Sequence, residues 1–226
     1  MRHDRVMGHI NRLKPQSIIE VGIGTGALGY RLARTVETYV GTEPDAESRT
    51  IASSTIDRGR VVESVDSLNS ELFDMLCAFE VIEHIEDDRS AVAEWLAHVR
   101  PGGHVMISVP AFRDRFGVFD EFAGHFRRYD PADLRSLLEG LNLQVLDISV
   151  NGAPIGFASE FVKNRLASRR LDQTETTHDR TMESGRVLKP SAGGRAIEFA
   201  SLPFRKLQRL FPNSGTGLLA LAQKPE

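Results

Sequence analysis

The chain holds 226 residues, 41% hydrophobic and 26% charged, with 28 Lys and Arg against 31 Asp and Glu. That is one domain with an addition, large enough to bury a core without a disulfide or metal staple. The single cysteine, Cys77, excludes a disulfide framework and a multi-cysteine zinc site, and a net charge of −3 argues against nucleic-acid binding by bulk charge. No stretch approaches the roughly 18 apolar residues of a membrane span, and residues 1–16 hold no apolar run of the signal-peptide kind, so a cytoplasmic chain is expected.

In chain order, SIIEV (17–21) reads as a short buried strand, the Gly-rich residues 22–26 as a tight turn, and 27–35 as a helix start. A second strand follows at 38–43 and a helix at 45–54, then a third apolar run at 60–63 and a fourth from Phe73. Residues 88–99 put Ala91, Val92, Trp95, Leu96 and Val99 on one helical face, which PGG at 101–103 ends before the strand HVMISVP. Pro131 opens a helix over 132–139, stopped near Gly140; QVLDISV is a sixth strand and TGLLALAQK a seventh. Strands alternating with helices predict an α/β fold, a doubly wound, mostly parallel sheet covered on both faces. Ligands of such sheets sit beyond the carboxyl ends of the strands.

Residues 151–214 break the pattern. They carry a helix candidate at 157–169, a polar segment (LDQTETTHDRTMESG) and a second helical pattern around 196–210. The expected division is a core at 1–150, a mobile lid at 151–214 and a closing strand at 215–226. Charge divides similarly: residues 1–150 have 16 Lys and Arg against 24 Asp and Glu, and residues 151–226 have 12 against 7. A basic lid over an anionic substrate and plain self-complementarity both accommodate that split.

Gly22, Gly24 and Gly26 let the backbone turn sharply and approach a ligand. Gly24–Gly29 also spells GxGxxG, with Glu43 roughly 20 residues on, as an NAD site requires. Glu20, directly before the turn, suits a ligand bearing an ammonium group better than a pyrophosphate. Glu43, closing the second strand, can accept both hydroxyls of a ribose.

With FEVIEHIEDD (79–88) and RPGGH (100–104) added, the sequence resembles the class I S-adenosylmethionine-dependent methyltransferases, in particular the small-molecule branch of ubiquinone-type O-methyltransferases. The resemblance implies a Rossmann-like sheet in the order 3-2-1-4-5-7-6 with strand seven antiparallel. It implies S-adenosylmethionine as cofactor, with S-adenosylhomocysteine as product. Glu20, Gly22, Gly24 and Gly26 then border the cofactor's methionine part and Glu43 its ribose. Ser64 and Val65 lie where adenine is contacted, without the family's usual Gly-Asp-Ala, and Phe79 floors the sulfonium.

His125, in FDEFAGHFRRYDPADL, is the candidate base, with Asp120, Glu121 and Tyr129 to position it or the substrate and His84 as a second candidate. Arg127 and Arg128 clamp an anion or pair with the neighbouring acids. Phe112, Phe116, Phe119, Phe122 and Phe126 are expected to wall an apolar pocket or seat their loop. Glu80, Glu83 and His84 spell E-x-x-E-H, which resembles Mg²⁺-ligand sets in ubiquinone-type and small-RNA 2′-O-methyltransferases; no metal ligand is assigned from it. The expected activity is O-methylation of a small molecule by a monomer or homodimer. The alternatives are a small-RNA 2′-O-methyltransferase, a cofactor-binding protein without catalysis, and an NAD oxidoreductase.

Overall fold

Seven apolar runs line up as one sheet in the order β3-β2-β1-β4-β5-β7-β6 in the computed structural model, which describes residues 2–170 and 214–226. The strands are β1 (Ser17–Val21), β2 (Thr38–Thr42), β3 (Arg60–Val62), β4 (Phe73–Phe79), β5 (Val99–Pro110), β6 (Gln144–Gly152) and β7 (Gly215–Gln223). β1 to β5 run parallel, and β7 enters antiparallel between β5 and β6. The sheet order implied by the family resemblance is therefore the order observed.

Because side chains alternate across a strand, each run feeds two cores. Ile18, Met75, Cys77, Met106, Leu219 and Leu221 face one side, under α1 (Arg2–Leu13), α2 (Gly29–Ala33) and α3 (Ala46–Thr55). Ile19, Leu76, Ala78, Val105, Ile107, Leu218 and Ala220 face the other, under α4 (Asp88–Leu96) and α6 (Pro131–Gly140). β4 is buried at all seven positions, as a central parallel strand must be.

Local chemistry sets the helix starts. Asp45 accepts the Ser48 N–H at 2.7 Å and Asp87 accepts the Ser90 N–H at 3.0 Å, each a side-chain cap on an otherwise unpaired donor. At α6, Pro131 occupies the first turn and Asp133 reaches back to the Asp130 N–H at 3.1 Å.

The structure differs from expectation in three places. α1 replaces an N-terminus with no assigned element, anchored by Val6 and Ile10 one turn apart. β5 starts at Val99, before the PGG that was to end a helix, because its pairing with β4 shifts register between Phe73 and Met75 and absorbs the glycines. A short helix, α5 (Val118–Ala123), forms where a loop was expected, ended by Gly124 at φ +77°. The helix expected at 157–169 is present as α7 (Ile155–Arg170), which packs on α5 and the sheet. The helical pattern at 196–210 and the polar segment before it lie outside the described residues. No helix among the described residues is long and apolar enough to cross a membrane.

Candidate active site at the carboxyl ends of β1, β2 and β4

After β1 the chain reverses through three glycines in the left-handed region: Gly22 at φ +67°, Gly24 at +55° and Gly26 at +81°. They do different work. A Cβ on Gly22 would lie 2.6 Å from Val81 Cγ2, and one on Gly26 would lie 3.3 Å from Ala52 Cα and from Ile56, so those two permit packing. A Cβ on Gly24 meets nothing within 4 Å. Gly24 is thus the glycine of this turn that opens onto free space.

The Gly24 N–H donates to Glu43 Oε2 at 2.8 Å, and the Asp45 N–H donates to Glu43 Oε1 at 3.0 Å. Burial leaves the Glu43 pKa raised, with these two backbone donors opposing the shift. The result is a fixed carboxylate at the end of β2 with lone pairs left to accept hydroxyls.

The other expected cofactor residues are placed differently. The Glu20 carboxylate is turned into the core, where Oε2 accepts the Tyr39 hydroxyl at 2.6 Å, and burial lifts its pKa to about 7. Val65 is buried in the core beneath α4 and α6, while the Ser64 hydroxyl donates to Asp66 Oδ2 at 3.1 Å. Phe79 closes β4 and packs in the cluster with Val6 and Ile10.

β4 leaves the sheet through Glu80, a non-glycine residue at φ +59°. Such backbone strain collects at functional sites. The Glu80 carboxylate is bound by Arg2 at 2.8 Å and by the Ser108 hydroxyl at 2.8 Å. One turn on, Glu83 is fully buried, and neither carboxylate oxygen has a hydrogen-bond partner in another described residue. Burial and the Glu80 charge push its pKa well above the ordinary carboxylate range.

His125 arrives from the far side, just past α5. Its Nδ1 lies 2.8 Å from Asp120 Oδ1, so an ionised Asp120 makes Nδ1 the protonated nitrogen and leaves Nε2 a free lone pair. Asp120 is 0% exposed. Burial would raise its pKa, but His125 and Arg128 overcome that and hold it at about 2. The His84 ring meets His125 edge-on at 4.6 Å between centroids, and burial together with His125 lowers the His84 pKa to about 4. Glu83, His84 and His125 each offer a ligand atom, all within 4.8 Å of one another.

Three expectations for this loop need correction. Asp120, not Glu121, meets His125; Glu121 is exposed on α5. Tyr129 is buried and donates its hydroxyl to Asp88 at 2.6 Å, which with burial raises its pKa further, so it ties the loop to α4. The five phenylalanines do not form one wall: Phe122 is buried, Phe126 is 53% exposed, and Phe119 is the one that meets His125, edge-on at 6.4 Å. Arg127 pairs with Asp88 at 3.0 Å, and Arg128 is shared by Asp120 and Glu160 of α7. Sequence reasoning missed Arg2, Glu160 and Lys163, whose partners lie far away along the chain.

A model of the methyltransferase domain matches residues 2–148. A ubiquinone biosynthesis O-methyltransferase of Aliivibrio fischeri is 29% identical over 116 residues, 48% of this chain and 50% of the relative. The chain thus spans about half the length of the curated relatives it matches. Among solved structures, the phosphoethanolamine N-methyltransferase 2 of Haemonchus contortus with S-adenosyl-L-methionine has a TM-score of 0.59 at 17% identity, covering 99% of this chain and 53% of its own. The N-methyltransferase NodS of Bradyrhizobium japonicum with S-adenosyl-L-homocysteine has a TM-score of 0.56 at 15% identity, covering 100% and 86%. Residues 2–148 include the glycine turn, Glu43, the E-x-x-E-H segment and His125, and with this sheet order the chain belongs to the class I S-adenosylmethionine-dependent methyltransferases.

Proposed function

We propose that the chain methylates an oxygen of a small-molecule acceptor, with His125 as the base. The observation that carries this reading is the His125–Asp120 pair, buried at the mouth of the sheet with Nε2 left to accept a proton. The residues present fit the cofactor. Gly24 gives an open, left-handed approach at the end of β1, and Glu43 presents a fixed carboxylate beside it. Glu43 would hold the ribose hydroxyls, and the Gly22–Gly26 turn would border the methionine part. Ser64 and Val65 are proposed near adenine and Phe79 beneath the sulfur. Glu20, just before the turn, is held in the core by Tyr39. S-adenosylmethionine, when bound, supplies a methyl group already activated by its positive sulfur.

The protein's task is then alignment and proton removal. As the acceptor oxygen forms its new bond, Nε2 of His125 takes the hydroxyl proton, and Asp120 stabilises the resulting imidazolium. The low pKa of His84 keeps that ring neutral, so one positive charge develops in the pair rather than two. Arg128 holds Asp120 from behind and fixes its direction. α7 is proposed to cover the site; residues 171–213 of the lid expected at 151–214 lie outside the described residues. The distant curated relatives include O-methyltransferases, which favours oxygen as the acceptor atom.

Replacing His125 by Gln should lower turnover by about 10²–10⁴-fold while S-adenosylhomocysteine binds as before. Unchanged turnover removes His125 from the mechanism. No turnover in wild type across an acceptor panel, with the cofactor bound, supports a binding protein without catalysis.

A second reading rests on Glu83. A buried carboxylate without a partner is costly, and a divalent cation held by Glu83, His84 and His125 would satisfy it. In that case His125 Nε2 is a ligand rather than a base, and the small-RNA 2′-O-methyltransferase reading gains. Activity that requires added Mg²⁺ and is lost in Glu83→Gln selects this reading; activity indifferent to chelators selects the first.

A further inference from the structure

Lys163 comes into the site from α7 and has a feature its neighbours lack. Its ammonium lies 4.7 Å above the Phe119 ring, yet no carboxylate or carbonyl among the described residues binds it. Three acids near it are engaged elsewhere: Glu80 by Arg2 and Ser108, Asp120 by His125 and Arg128, and Glu160 by Arg115 and Arg128. Burial lowers the Lys163 pKa, as for a partly dehydrated ammonium.

Phe119 links Lys163 to the proposed base. Its ring lies 4.7 Å from the ammonium and meets His125 edge-on at 6.4 Å. The Phe119 N–H also donates to Asn164 Oδ1 at 2.9 Å, so ring and ammonium are held by neighbouring positions of one helix. We infer that Lys163 anchors an anionic group, a carboxylate or a phosphate, on the acceptor, whose hydroxyl lies at His125 with Phe119 as the apolar wall between them. This rests on the methyltransferase reading above and adds the chemical class of its acceptor. An ammonium over an aromatic ring keeps its charge with less hydration, and an arriving anion gains a charge-assisted hydrogen bond.

The test uses the full chain saturated with S-adenosylhomocysteine, titrated calorimetrically with benzoate, phenyl phosphate and neutral benzamide. One anion should bind about 10- to 100-fold more tightly than benzamide, the worth of a hydrogen bond to a charged group. The tighter anion distinguishes carboxylate from phosphate. Lys163→Met should remove the preference, and Lys163→Arg should keep most of it. Benzamide affinity, cofactor affinity and the circular dichroism spectrum should stay unchanged in both. Anions that bind no better than benzamide, or a preference that survives Lys163→Met, overturn the inference alone. A wild-type chain that binds no S-adenosylhomocysteine overturns the cofactor reading, and this inference with it.

Discussion

Glu20→Gln isolates the cost of a buried carboxylate beneath the glycine turn. Burial raises the Glu20 pKa from 4.5 to about 7, against the Tyr39 hydrogen bond and the Arg2 charge, which pull it down. An acid whose folded-state pKa is raised binds its proton more tightly when folded. Its contribution to stability is therefore full below pH 4.5 and is lost as pH rises through 7. At about 1.4 kcal/mol per pH unit, the loss across that window comes to about 3 kcal/mol. Gln keeps the shape and an oxygen for the Tyr39 hydroxyl but does not ionise. Urea unfolding of both proteins, without ligand and from about pH 4 to pH 9, reads the difference in stability while the other titrating groups cancel. The variant should gain about 3 kcal/mol relative to wild type as pH rises across the window, whatever the starting offset. Two stability curves that run parallel with pH would refute the reasoning, because Glu20 would then ionise in the folded chain as it does in water.

Gly22→Ala should cost about 1–3 kcal/mol in unfolding, from overpacking against Val81 on top of backbone strain. Asp120→Ala leaves Arg128 and His125 without their shared carboxylate and should lower stability by about 3–5 kcal/mol. Asp120→Asn keeps the shape and should shift the pH–rate profile, since the His125 imidazolium loses its anion. Glu83→Gln should abolish any stabilisation by Mg²⁺ in thermal unfolding, if the wild-type chain shows one.

The sheet was legible because each strand is an apolar run between turn residues, and the glycine turn with Glu43 marks where β1 and β2 end. α1 was not, because its twelve residues bury little beyond Val6 and Ile10 and look polar as a string. β5 hid its first turn inside PGG, since a register shift leaves no signature in composition. At the site, residue types were readable but partners were not. His125 stands out as a histidine in an Arg- and Asp-rich loop, yet nothing in the spacing separates Asp120 from Glu121 until α5 turns one inward and the other to solvent. Glu80 with Arg2 and Lys163 with Phe119 are joined across long stretches of chain, so pairing depends on the fold as a whole. The E-x-x-E-H string marked Glu83, but only burial reveals a carboxylate without a partner.

The central claim is that S-adenosylmethionine is held between Gly24 and Glu43. Calorimetric titration of S-adenosylhomocysteine into wild type, Gly24→Val and Glu43→Gln, with NAD as the control ligand, tests it most directly. Wild type should bind S-adenosylhomocysteine and not NAD. A side chain at Gly24 should block binding by filling the open space, and Glu43→Gln should weaken it by about 10-fold or more, the worth of hydrogen bonds to a charged group. Equal affinity in all three proteins, or a response to NAD alone, would contradict the account.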